Sequence, residues 1–174
     1  MKKVQFLKIV QHRAARVAIT ASATRGQGAG VVVSARDFCS RLNVARFGIS
    51  DQRVFTRQLD AVTVQLQKGL PKRAASWGLA RKLVNIFLRD SLYTSYLARA
   101  YGLTKAAKVF EIPLDSITAK RIRAAEPQLP RWPGVKHLDQ DTSAAYQAAA
   151  LRTAARHDIA RVHLDAYWWG ARER

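Results

Sequence analysis

Residues 76–100, SWGLARKLVNIFLRDSLYTSYLARA, decide the fold. Leu79, Leu83, Ile86, Phe87, Tyr93 and Leu97 recur at helical spacing and make a stripe to bury, while Arg81, Lys82, Asn85 and Arg89 share another face. The stretch reads as one long amphipathic helix, with Gly102 as its natural stop. Downstream, Thr104 can cap a short turn through Phe110, and Asp115, just after Pro113, stands in the N-cap position for a helix over 116–125. Residues 126–135, which include EPQLPRWPG, hold three of the five prolines and read as a semi-rigid loop. Asp141 or Thr142 then caps an alanine-rich helix to His157, and Asp158 opens a last helix that ends in Tyr167-Trp168-Trp169-Gly170.

Upstream, Ser50 or Asp51 caps a helix carrying Val54, Phe55, Leu59, Val62 and Leu66 on one side, and Val31 to Leu42 form a shorter one. TRGQGAG at 24–30 cannot be a helix interior, with three glycines in five positions. Before it, residues 1–20 form a basic amphipathic first helix through Val4, Leu7, Val10, Ala14, Val17 and Ala18. Val31-Val32-Val33 is the one short piece that could be extended instead. The expected architecture is all-α: a single compact helical domain over 1–174.

The chain has 174 residues, 30 Lys+Arg against 12 Asp+Glu, and a formal net charge of +18. So lopsided a surface points to a polyanionic partner, most simply nucleic acid. An apolar fraction of 48% excludes wholesale disorder. One cysteine, Cys39, excludes a disulfide framework and any four-Cys zinc or iron–sulfur site, and reads as a small buried residue. No apolar run approaches the ~20 residues of a membrane span. Seven basic residues (Lys2, Lys3, Lys8, Arg13, Arg16, Arg25, Arg36) precede the first acid, Asp37. Lys8, Arg13 and Arg16 interrupt any secretory core, so a cytoplasmic, nucleoid-associated protein is expected, with a mitochondrial presequence as the alternative.

Gly78-Leu79-Ala80-Arg81-Lys82-Leu83-Val84-Asn85 after Leu70-Pro71, with Ile112-Pro113-Leu114-Asp115-Ser116 downstream, resembles the helix-hairpin-helix DNA glycosylases. That superfamily includes endonuclease-III-like enzymes and archaeal 8-oxoguanine glycosylases, and the lysine–aspartate separation suits the archaeal branch better. In the family a Gly-x-Gly-x-Lys hairpin leads into a helix, and a Pro-Val-Asp segment brings an aspartate to the head of a later one. Ala80 stands where the hairpin's second glycine would be. The resemblance implies a helix-hairpin-helix element, Lys82 as nucleophile and Asp115 as the catalytic aspartate. It implies excision of a damaged or modified base from double-stranded DNA, with or without strand cleavage; the iron–sulfur cluster of some members is impossible with Cys39 alone, and no cofactor or metal is expected.

The residue types fit that chemistry. A lysine partly desolvated among Leu79, Ile86 and Arg81 has its amine pushed toward neutrality, and a neutral amine can attack a sugar C1′. An aspartate beside it can stabilise developing positive charge or take a proton. Gly78 would let backbone N–H groups approach a phosphate, with Arg25, Gln27, Arg81, Asn85, Arg89 and Arg131 as further DNA contacts. An extruded base needs aromatic walls, for which Trp77, Trp132, Trp168 and Trp169 are candidates, Trp132 foremost; Phe87, Tyr93 and Phe110 read as packing residues. The plainer reading makes Lys82 one phosphate-facing cation among several and Asp115 only a cap. His157, Asp158, His163 and Asp165 match no metal spacing. The expected protein is a monomer acting in repair or in defence against modified phage DNA. The alternative is a non-catalytic DNA- or RNA-binding protein on a degenerate form of the same fold.

Overall fold

A computed structural model describes the backbone of residues 3–170 and the side chains of residues 3–168. It is all-α: α1 Lys3–Ala18, α2 Val31–Arg41, α3 Gln52–Gly69, α4 Trp77–Tyr93, α5 Ser95–Tyr101, α6 Leu103–Ala106, α7 Ser116–Ala125, α8 Gln140–Ala155 and α9 Leu164–Gly170. Val31-Val32-Val33 is the first turn of α2. Among the described residues no helix is long and apolar enough to cross a membrane.

α4 is the hub. It is buried nearly all round rather than along one stripe, with Leu79, Ala80, Leu83, Val84, Phe87 and Leu88 within it. One apolar cluster gathers α1 to α6 around Phe47, Phe55, Leu59, Leu66, Phe87 and Leu97, and takes in Cys39, whose thiol burial pushes well up. A second gathers α7 to α9 around Ile112, Leu114, Ile122, Leu138, Tyr146 and Leu164. The extended segment 110–115 runs between them.

Several local signals act as expected. Asp51 accepts from the Val54 N–H at 2.9 Å and caps α3, and Gly102 takes the left-handed conformation, φ 68°, at the end of α5. Others are corrected. The single helix over 76–100 is two, because Thr94 turns extended and its hydroxyl donates to the Asp90 carbonyl at 2.8 Å. Tyr93, expected in the core, is 47% exposed. α6 starts directly from Gly102 rather than from a Thr104 cap. α8 is capped two residues before Asp141, by Asp139 accepting from the Thr142 N–H at 2.7 Å. Asp158 opens no helix; it sits in a left-handed turn at φ 52°, and α9 begins at Leu164.

A buried ion pair joins the two clusters. Arg81 of α4, 5% exposed, donates from Nε and Nη2 to the two carboxylate oxygens of Glu111, each at 2.8 Å. Its Nη1 reaches Asp60 at 2.7 Å and Thr63 at 3.2 Å on α3. Asn85 donates to Glu111 at 2.9 Å. The next residues are held by α8 and the turn before α9. Gln147 exchanges two bonds with the Ile112 backbone, at 2.8 and 3.2 Å, and Arg161 donates to the Phe110 and Val109 carbonyls at 2.8 and 3.1 Å. A buried segment outside any helix thus has its polar backbone satisfied by side chains.

Burial alone would raise the Glu111 carboxyl; the charge and hydrogen bonds of Arg81, with Arg161 and Asn85 adding, hold it below the ordinary carboxylate range. A carboxyl lowered in the folded state stabilises the fold above its unfolded value, and that stability is lost as pH falls through the folded one. Glu111→Gln leaves Arg81 buried without its bidentate counter-charge. It should cost about 3 kcal/mol in urea unfolding at pH 7 and flatten the acid side of the stability profile.

Candidate active-site cleft

The sequence places Lys82 one residue beyond the buried Arg81, and the helix turns its side chain to a different neighbour. Lys82 opens into a cleft of about 440 Å³ that Asp115, Arg25, Gln27 and Trp132 also line, with Leu79, Ser22, Ser116, Val135 and Lys136 completing the walls. Four segments far apart in sequence therefore meet: the loop after α1, the start of α4, the head of α7 and the stretch 132–136 before α8.

Each side chain is held by a local device. Lys82 Nζ donates to the Ala23 carbonyl at 2.9 Å. Burial pushes its amine below the ordinary lysine value, and the charges of Asp115 and Asp165 only partly restore it. Asp115 caps α7 in a capping box: its Oδ1 accepts from the Ile117 and Thr118 N–H groups, both at 2.9 Å, while Thr118 Oγ1 accepts from the Asp115 N–H at 2.9 Å. These bonds fall on Oδ1, leaving Oδ2 without a hydrogen bond among the described residues. Trp132 is half-buried, edge-on to Tyr146 with ring centroids 5.3 Å apart. Tyr146 in turn donates to the Pro130 carbonyl at 2.8 Å, pinning the proline-rich loop at the cleft wall.

The other expected contacts fall elsewhere. Gly78 is not a phosphate-facing hairpin residue; it lies in the first turn of α4, where an added Cβ would come 2.3 Å from the Val135 carbonyl and 2.6 Å from Leu138 Cβ. Its lack of a side chain lets the cleft-wall turn at 135–138 close on α4. Arg81 and Asn85 are buried and spent on Glu111, so neither reaches a phosphate. Arg89 is ion-paired with Asp90 at 2.9 Å and with Asp165. Arg131 is exposed beside Trp132 but does not line the cleft. Trp77 packs on the second cluster with the Arg81 guanidinium 5.2 Å from its ring centre. Trp168 packs there too, under Arg121 at 5.9 Å, whereas the side chain of Trp169 lies outside the described residues. His163 stacks on Tyr93 and shares a 2.9 Å hydrogen bond with its hydroxyl.

Two cleft features were missed from sequence. Lys136 lines the cleft from the turn at 135–138, which docks against Gly78. The Ala23 carbonyl contributes through its backbone, which no side-chain pattern announces. A larger cavity, about 700 Å³, lies between α1 and the α2–α3 connection, beside Leu7, Lys8, His12 and Tyr101. Its one buried polar side chain, Gln11, is already bound to the carbonyls of Cys39, Ser40 and Leu42. No protein-family model, curated protein or solved structure matches this chain.

A lysine held below its ordinary value has more free amine at neutral pH. Treatment with pyridoxal phosphate and borohydride at pH 7.5 should modify Lys82 ahead of exposed lysines such as Lys72 and Lys108, as read by peptide mass spectrometry. The preference should fade as pH rises and every amine becomes neutral.

Proposed function

We propose that the protein is a DNA glycosylase that removes a damaged or modified base through Lys82 and Asp115. The observation that carries this reading is the convergence of a desolvated lysine, an aspartate and a tryptophan in one cleft rimmed by Arg25 and Lys136. Lys82 as free amine attacks the sugar C1′, the glycosidic bond breaks, and the base leaves with the bonding pair. The sugar ring then opens to an imine on Lys82, from which β-elimination can cleave the strand. Asp115, with Oδ2 uncommitted, supports the positive charge that builds on the sugar and takes a proton from the attacking amine. Trp132 offers a face for the extruded base, and the positive field of the chain holds the duplex.

Borohydride trapping on duplexes carrying a panel of modified bases tests the reading. The native chain should form a covalent complex with at least one duplex, Lys82→Ala with none. Asp115→Asn should lose base release while binding DNA as tightly or more tightly. Failure of every duplex, with wild type and Lys82→Ala alike, would leave the non-catalytic binder.

Binding itself should be steeply salt-dependent. Arg25→Ala and Lys136→Ala should each reduce the log–log salt slope by about 0.9, one phosphate contact apiece. Arg131→Ala, outside the cleft, should change it less.

A further inference from the structure

We propose that the Ala23 carbonyl is the positioning group for the Lys82 amine, so that the loop following α1 and the lysine work as one coupled unit. The catalytic meaning of this coupling rests on the glycosylase reading; the tether does not.

The bond spans 59 residues of chain and is the one hydrogen bond of Lys82 Nζ among the described residues. Its acceptor is held still. Arg36 donates to the Ile19 carbonyl at 2.8 Å, the Ala23 N–H donates to Thr20 Oγ1 at 3.2 Å, and the buried Thr24 hydroxyl donates to the Thr20 carbonyl at 3.2 Å. Beyond Thr24 the loop stands out into solvent, with the Gln27 N–H turned back onto the Thr24 carbonyl at 3.0 Å. Arg25 is exposed, and Gly26 and Gly28 take positive φ with nothing within 4 Å of an added Cβ. The loop therefore has an anchored base that holds the lysine and a more exposed tip, whose Arg25 and Gln27 line the same cleft.

A neutral amine that donates one N–H to this carbonyl keeps its lone pair off the loop, where an electrophile can meet it. The same turn covers the amine from water on that side. The charged groups around Lys82 are Asp115 and Asp165, whose charges act on it, and Arg25 and Lys136 on the cleft walls. A duplex that draws Arg25 toward a phosphate pulls on the segment that holds the nucleophile, so engagement of the groove is transmitted to the amine.

The test uses the full chain without DNA. Trypsin nicking after Arg25, followed by mass spectrometry, should be several-fold faster in Lys82→Met than in wild type. Lys82→Arg, which retains a donor, should be nicked close to the wild-type rate. In Thr24→Val the pH midpoint of Lys82 labelling should move up toward the ordinary lysine value as water reaches the amine; where that variant does not fold, the Lys82 pair alone decides. Wild-type nicking in Lys82→Met, or an unmoved midpoint in folded Thr24→Val, overturns the tether. Loosening of the loop with no trapping on any duplex would instead keep the tether and remove the glycosylase.

Discussion

The Arg81–Glu111 pair is the constraint on which the site depends. It is bidentate and buried, and it ties the hub helix α4 to the start of the segment that crosses between the apolar clusters. Such a pair offers little net stability over an apolar substitute, because both charges lose their water. Its value is register. With Glu111 fixed on α4 and Ile112 fixed on α8 by Gln147, the chain has only Pro113 and Leu114 before Asp115. Lys82 is the next residue after Arg81. The two residues that share the cleft are thus one residue and four residues away from the two ends of one ion pair, and a slip of the crossing segment would separate them.

What was legible in the sequence is what local physics decides. Asp51 and Asp115 are short acceptors at the heads of apolar-periodic runs, and both cap as expected. Gly102 ends α5 because only a residue tolerant of positive φ can. The Lys82–Asp115–Trp132 grouping was also anticipated, from the resemblance and from the cost of exposing a loop tryptophan. What failed was the assignment of Arg81, Asn85 and Arg89 to an open polar face. Arg81, Lys82, Asn85 and Arg89 share a helical face by spacing, yet Arg81 and Asn85 meet Glu111, Arg89 meets Asp90 and Asp165, and Lys82 meets a loop. Helical periodicity says which residues are neighbours on the helix; it does not say which tertiary segment covers them. Gly78 shows the same limit, since its requirement comes from a turn 57 residues downstream in the chain, at Val135.

The charge balance acquires a sharper meaning in the folded chain. Only 12 residues are acidic, and most have structural duties. Asp60 and Glu111 hold Arg81, Asp90 and Asp165 hold Arg89, Glu126 holds Arg152, and Asp37 holds Arg41. Asp51 and Asp139 cap helices. Asp115 alone among the caps also faces a cleft with a lysine in it. Of the arginines that these acids hold, Arg81 and Arg89 are withdrawn from a partner, whereas the side chains of Arg41 and Arg152 stay largely exposed. On the proposed reading the cations that would meet a polyanion are those not held by acids, Arg25 and Lys136 in the cleft among them, rather than Arg81 and Arg89.

A cation-rich chain and a free lysine amine are compatible because the effects act over different ranges. Burial lowers the Lys82 amine, and the charges of Asp115 and Asp165 act against it without cancelling it. A bound duplex would act in the same direction as those carboxylates, since each phosphate nearby favours the protonated amine. Free amine therefore survives DNA binding only if the short-range term wins. Phosphates held at the rim act through a screened, hydrated medium and lose strength within about 10 Å. Desolvation acts at contact, and the turn carrying Ala23 and the wall of Leu79 keep water from the amine on two sides. Under the glycosylase reading, a cleft lined by Arg25 and Lys136, with its lysine donating to the Ala23 carbonyl, meets both demands: it would gather the polyanion without letting the polyanion protonate the attacking group.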